Sequence, residues 1–229
     1  VNNPDILFNS IARCGNTFLV FAFGEAIRQN IDGGEDTFYE NRQLYSHSHW
    51  PFLLRLDPEQ TNTIQFTNFR HPLENIPSLF ALPHYRSIWK HPGIKNKDVL
   101  EDRVIEAIRE YILWTKTQTT YNFSNVILFE DIKNDVNLVL KFIFDKLGIE
   151  FKNNIDIEKV KNDLRSFEDE RYLDEKERFN MGRLPRGFSE TEQYKQIQEI
   201  LLNENWVHHI SYKEAVNRYE YIYNEKRAN

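Results

Sequence analysis

Apolar and polar positions along the chain follow two alternating rhythms. Three short apolar runs, Ile6-Leu7-Phe8, Thr63–Phe69 (TIQFTNF) and Asn125–Phe129 (NVILF), have the length and composition of strands buried in a parallel sheet. Each gives way to a helical rhythm. After the first, Asn9 and Ser10 end the strand, Gly15 permits a tight turn, and Phe18, Leu19, Phe21, Ala22 and Ala26 predict a helix from Asn16 to about Arg28. After the second, Pro72 suits the first turn of a helix reaching Leu82. After the third, Asp135 to Leu147 reads as an amphipathic helix closed by Gly148. Asp32-Gly33-Gly34 is a strong turn signal, and Gln43–Trp50 reads as a short strand running into the corner at Pro51.

The remaining chain is helical and charged. Asp98 is placed to cap a long helix reaching about Lys116, with Leu100, Val104, Ile108, Tyr111 and Ile112 on one stripe. Further helices are predicted at Ile157–Phe167, at Ser189–Asn203 with a capping box from Ser189 to Glu192, and at about Lys213–Glu225. Together these predict an α/β protein: a P-loop-like parallel sheet flanked by helices, with a helical C-terminal part, in a single domain over residues 1–229.

Composition narrows the function classes. A formal net charge of −6 argues against general nucleic-acid binding, so a polyanionic ligand requires the fold to gather cations locally. Cys14 is the one cysteine, which excludes an intramolecular disulfide and a multi-cysteine metal centre and points to a reducing, cytoplasmic setting. No apolar run approaches the ~20 residues of a membrane span, and the amino end lacks a signal-sequence pattern. The expectation is a soluble protein.

Asp5 to Val20 carries the first chemistry. A buried strand, a loop with Gly15 and a helix entered at Asn16 present unpaired backbone N–H groups and a partial positive charge to the loop, where a phosphate or sulfate can sit. Arg13 adds a permanent cation with a bidentate fork. The Walker pattern GxxxxGK[ST] is absent, which speaks against an ordinary ATP or GTP loop. Arg70 stands at the carboxyl end of the second main strand, where open α/β sheets bind ligands. Ser78, eight residues on, is by itself an ordinary helix-surface serine. His47 and His49 are two apart; they are either surface histidines or a metal pair that lacks an evident third ligand. Arg178 to Phe188, with three arginines, two glycines and a proline, reads as a basic loop.

In order and spacing, SIARCGNTF, SHSHWP, FRHPLENIPS, NVILFEDIKND, LGI and GRLPRGF resemble the sulfotransferases that use 3′-phosphoadenosine 5′-phosphosulfate (PAPS). The resemblance spans about Asp5 to Asn203. It implies that Arg70 and Ser78 hold the 3′-phosphate of the nucleotide. Arg13, Cys14, Gly15, Asn16 and Thr17 then take the place of the loop that holds the 5′-phosphosulfate, and Phe18 that of the aromatic stacked on adenine. His49 matches the family's catalytic base, with Glu40 as the first carboxylate to test in its stead. Arg183, Arg186 and Gly187 would close over the 3′-phosphate. The family needs no metal and releases 3′-phosphoadenosine 5′-phosphate (PAP). Phe129 replaces a common tyrosine, His71 replaces a residue that is usually acidic or polar, and the late loop lacks the common Arg-Lys-Gly triplet.

Sulfuryl transfer, like phosphoryl transfer, is expected to pass a loose in-line transition state in which positioning and charge stabilisation dominate. The acceptor class is open between a small molecule, a glycan and a peptide. Trp50, Phe52, Tyr85, Trp89 and Trp114 are candidates to line its pocket. Two other readings stand beside the transferase: a P-loop-like, ATP-dependent phosphotransferase, and a non-catalytic nucleotide-binding protein on the same fold.

Overall fold

The structure, a computed structural model, describes residues 5–11, 13–34, 38, 45–48, 63–80, 97–121, 125–171 and 191–228. In chain order the elements are β1 (Asp5–Ser10), α1 (Asn16–Asn30), β2 (Tyr45–Ser48), β3 (Thr63–Phe69), α2 (Pro72–Leu79), α3 (Lys97–Tyr121), β4 (Val126–Leu128), α4 (Phe129–Asn134), α5 (Val136–Lys146), α6 (Ile157–Arg171), α7 (Glu192–Leu202) and α8 (His209–Ala228). They belong to two compact units, Val1–Phe69 with Thr120–Asp169, and Arg70–Thr119 with Glu170–Asn229. The expected α/β class, with a parallel sheet flanked by helices, is what the chain forms.

In the first unit the strands lie in the order β2-β1-β3-β4, all parallel. The register sets Phe8 opposite Phe66, and their rings stack at 5.7 Å. Alternation along the strands then puts Ile6, Phe8, Ile64, Phe66 and Ile127 on one face. Leu19, Ala22, Phe23, Ala26 and Ile27 cover that face from α1, and Val136, Val139, Leu140, Ile143 and Phe144 from α5, each set at helical spacing. Phe23 meets Phe8 edge-on at 5.3 Å and Phe144 at 5.8 Å. Burying phenylalanines at about 2–3 kcal/mol each makes this cluster the main source of stability.

Element ends differ from the sequence reading in ways the contacts explain. Helix α1 runs two residues past Arg28 because Asn30 anchors its last turn: Nδ2 donates to the Ala26 carbonyl at 2.9 Å, and Oδ1 accepts from the Lys152 and Asn153 amides, both at 2.6 Å. Strand β4 stops at Leu128, so Phe129, Glu130 and Asp131 open α4 instead of ending a strand. Asp135 caps α5 by accepting from the Asn137 and Leu138 amides. Gly148, at φ 68°, closes α5 while the Ile149 amide returns to the Phe144 carbonyl at 2.9 Å.

The second unit is helical. His71 caps α2, its Nδ1 accepting from the Leu73 amide at 3.1 Å. Pro77 lies inside α2 and lacks the N–H that would bond the Leu73 carbonyl. That carbonyl is taken by Gln198 Nε2 of α7 at 3.2 Å, and the Tyr194 hydroxyl donates to the Glu74 carbonyl. Helix α3 begins at Lys97, so Asp98 lies in its first turn instead of capping it. Leu100, Val104, Ile108, Tyr111 and Ile112 are buried as the stripe predicts. Thr191, not Ser189, caps α7 through the Tyr194 amide, and α8 begins four residues before Lys213. Among the described residues no helix is long and apolar enough to cross a membrane.

One buried charge links α1 to α6. The Glu25 side chain, 2% exposed, meets Lys159 Nζ at 2.5 Å and Arg28 at 2.9 Å, and Gln29 Nε2 donates to it at 2.7 Å. Burial pushes its carboxyl up, but Lys159, Gln29 and Arg28 outweigh that and hold it below the ordinary 4.5. A lowered folded-state value means stability that is full above 4.5 and lost as pH falls through the folded value. Glu25→Gln is expected to flatten the acid limb of the stability profile and to lower the midpoint at pH 7 by roughly 3–6 °C. Thermal unfolding between about pH 3 and 7 measures this; an unchanged acid limb would remove Glu25 as its source.

Candidate functional site

The turn from β1 into α1 is built from two residues in left-handed backbone. Arg13 has φ 72° and Gly15 has φ 85°. Gly15 occupies the N-cap position of a 15-residue helix and supplies no side-chain cap, and the first turn carries no acidic residue. The first-turn amides therefore face the loop with their partial positive charge intact. The packing also favours glycine: a Cβ at Gly15 would stand 3.0 Å from Cδ2 and Cε2 of Phe129. The Phe129 ring thus packs on the loop, with Lys133 Nζ 5.7 Å from its centroid.

Asn16 locks this turn to the sheet. Its Nδ2 donates to the Phe8 carbonyl at 3.2 Å, and its Oδ1 accepts from Asn68 Nδ2 of β3 at 2.6 Å. With Asn16 2% and Cys14 0% exposed, both are buried in the turn and neither presents its side chain at the surface. Thr17 is half-buried, and Phe18 packs partly against the core cluster.

Arg70 follows β3 directly and is described with the second unit. Its Nε bonds Glu74 Oε2 at 3.1 Å, its carbonyl accepts from the Tyr111 hydroxyl at 2.8 Å, and its side chain is 17% exposed. The carboxylate one helical turn away orients the guanidinium. Ser78 is buried, 3% exposed, and its Oγ donates to the Asn75 carbonyl at 2.6 Å, so it is not the surface serine its position suggests. The Tyr194 hydroxyl is raised above its ordinary value by burial, with Arg70 pulling it down and Glu74 pushing it up. It stays protonated and donates.

Several expected residues lie outside the described residues: His49, Glu40, Arg183, Arg186 and Gly187, with Trp50, Phe52, Tyr85 and Trp89. His47 is placed on β2 in register with Phe8. Trp114 is 1% exposed, which makes it packing and removes it from the acceptor-pocket candidates. Among the described residues, no group of three or more His, Cys, Asp or Glu could hold a metal.

The sequence reading missed Asn68, Tyr111 as a partner of Arg70, and the His71 cap. Asn68 had a signal, as a polar residue in an otherwise apolar strand end, and Glu74 had one in its four-residue spacing from Arg70. Tyr111 had none, because a contact across 41 positions leaves no local pattern.

No protein-family model matches the chain, and no curated protein matches it. Among solved structures, it is similar to the crystal structure of a sulfotransferase from Alicyclobacillus acidocaldarius, with 16% identity, a TM-score of 0.46, and coverage of 82% of this chain and 99% of that one.

The left-handed backbone at Arg13 is a local cost retained at a loop. Holding a non-glycine residue there costs about 1–2 kcal/mol. Of two variants that both delete the guanidinium, Arg13→Gly is expected to melt about 3–6 °C above Arg13→Ala, measured without ligand. Equal midpoints would show that the backbone at residue 13 relaxes.

Proposed function

We propose that the chain is a sulfotransferase that moves a sulfuryl group from PAPS to an acceptor hydroxyl or amine. The observation that carries this reading is the turn at Arg13–Gly15. An arginine and a glycine, both at positive φ, feed a helix with no side-chain cap at the end of a central parallel strand. The ordered set of motifs from SIARCGNTF to GRLPRGF supports it.

The residues fit such a group. The amides at the start of α1 lack a competing carboxylate in the first turn. When bound, PAPS supplies a sulfuryl group on a phosphate that leaves. Backbone N–H groups from Gly15 to Thr17 and the Arg13 guanidinium would hold the anionic charge of that phosphate. A guanidinium stays protonated, so Arg13 stabilises charge and does not act as a proton donor. Cys14 and Asn16 are the buried members of this loop and would shape it from beneath, Asn16 while clasped to Asn68. Phe18 supplies an aromatic surface for the adenine.

Arg70 and Ser78 would hold the 3′-phosphate, Ser78 by turning its hydroxyl away from the Asn75 carbonyl, with Glu74 steering the Arg70 fork through Nε. Arg183, Arg186 and Gly187 are assigned to cover that phosphate, and His49 to take the acceptor's proton, with Glu40 as the alternative base. A positioned general base is worth ~10²–10⁴-fold in rate. No metal enters the scheme.

Thermal unfolding with PAP, run beside ATP and Mg²⁺, tests the proposal. PAP at ~100 times its dissociation constant is expected to raise the midpoint by roughly 5–10 °C, while ATP with Mg²⁺ does not. Arg70→Ala is expected to weaken PAP by about 10–100-fold and to affect adenosine 5′-phosphate much less, because a charge-assisted contact to the 3′-phosphate is lost. A shift with ATP and Mg²⁺ alone would point to a phosphotransferase. Equal losses for both nucleotides would defeat the role of Arg70.

A further inference from the structure

Helix α2 opens on a histidine, the side chain whose ordinary titration falls near neutral pH. Pro72 has no N–H and keeps the residue before it out of the helical region, so the N-cap falls on His71, at φ −53° and ψ 133°. The Leu73 amide donates to His71 Nδ1 at 3.1 Å, and the Glu74 and Asn75 amides donate to the His71 carbonyl at 3.0 and 2.9 Å. One residue thus closes the first turn.

An amide N–H can only donate, so Nδ1 carries no proton and the ring is neutral, with its proton on Nε2. Serine, aspartate and asparagine, the common N-cap residues, go on accepting across the neutral range. Imidazole does not. On protonation both ring nitrogens become donors, and Nδ1–H then opposes the Leu73 N–H. The new charge also lies at the positive end of α2 and one residue from the Arg70 guanidinium.

Among the described residues, the titratable groups around His71 come from four segments. Arg70 and Glu74 flank it in sequence. Tyr219 of α8 meets the imidazole edge-on at 5.0 Å, and the rest of the buried face of α8 holds Tyr212, Ala215 and Ile222, with His209 about 15 Å further along the helix. Tyr194 of α7 donates to the Glu74 carbonyl, and Tyr111 of α3 to the Arg70 carbonyl. Glu74 supplies the negative charge of this set, and Arg70 Nε holds it at 3.1 Å.

The cap reaches the site through that ion pair. It fixes the turn from which Glu74 meets Arg70, while Tyr111 holds only the Arg70 backbone. We infer that His71 is a positioning residue for Arg70, and that its protonation weakens the binding of a phosphate by Arg70. The inference rests on the sulfuryl-transfer reading and adds a pH dependence to the same site. Neutral His71 keeps the turn closed and the guanidinium aimed; protonated His71 releases the turn that carries Glu74. An imidazolium would also attract the phosphate, but at a half-buried ring that attraction is screened, whereas the lost cap acts directly on the turn.

Calorimetric titration with PAP at about pH 8 and about pH 5 tests this on wild type, His71→Asn and His71→Ala, with adenosine 5′-phosphate as the ligand lacking the 3′-phosphate. The phosphates of both ligands take up protons near pH 6 in every variant, so the readout is the wild-type affinity relative to His71→Asn at each pH. His71→Asn caps without titrating. It is expected to bind PAP within about twofold of wild type at the higher pH and about 3–10-fold more tightly than wild type at the lower. His71→Ala should bind PAP about 3–10-fold more weakly than His71→Asn at both, and adenosine 5′-phosphate should separate the three proteins by less than about twofold. Parallel pH profiles for wild type and His71→Asn, tighter PAP binding by wild type at the lower pH, equal affinities of the Ala and Asn variants, or the same changes with adenosine 5′-phosphate would overturn the inference. Failure of wild type to bind PAP at the higher pH is seen before any variant is made, and would overturn the sulfuryl-transfer reading and the inference with it.

Discussion

The carboxamide of Asn16 holds together the turn on which the proposed chemistry depends. It sits in the first turn of α1 and reaches two strands, donating to the Phe8 carbonyl of β1 and accepting from Asn68 of β3. A helix whose opening amides are to serve a ligand cannot spend a capping side chain on them, so its start has to be secured some other way. Here the anchor comes from within the helix. The N-cap position is left to Gly15, and the loop is free to take the left-handed backbone at Arg13 and Gly15.

That junction works only because the sheet beneath it is rigid. Phe8, Phe66, Phe23 and Phe144 form a close-packed aromatic cluster under α1 and α5, which fixes the register of β1 against β3. The same register sets Asn68 in reach of Asn16 and puts Asn9 beside Thr67 on the far face. Both faces mix buried apolar residues with buried polar ones: Ser10 and Asn68 lie on the face of Phe8 and Phe66, and Phe69, Val126 and Leu128 on the face of Asn9 and Thr67. In the second unit the same economy recurs around Arg70: Glu74 orients its side chain, Tyr111 holds its carbonyl, and α7 supplies the hydrogen bond that Pro77 removes from α2.

Local signals were read with success where periodicity and special residues act over a few positions. The strands at Ile6–Phe8 and Thr63–Phe69, the helix after Gly15, the stripe of α3 and the glycine stop after α5 all followed from spacing and from the freedom of glycine at positive φ. Boundaries were read less well because they depend on partners. Asn30 extends α1 through contacts more than 120 residues away, and Thr191 rather than Ser189 wins the cap of α7 through the Tyr194 amide.

By itself, the sequence determined the α/β class, the order of its main strands and helices, the arginine–glycine turn and the position of Arg70 after a strand, since each rests on short-range sterics and on burial that repeats at two or 3.6 residues. Only the tertiary structure decided which polar side chains are spent on the fold. Ser78, predicted at a surface, is buried against the Asn75 carbonyl; Trp114, offered to an acceptor, is core; Asn16 is clasped to Asn68, while Asn9 is buried with its amide unmatched. The physical reason is that a hydrogen bond is satisfied by whatever group the packed strands and helices bring within 3 Å, and that neighbour is set by register and packing over the whole chain.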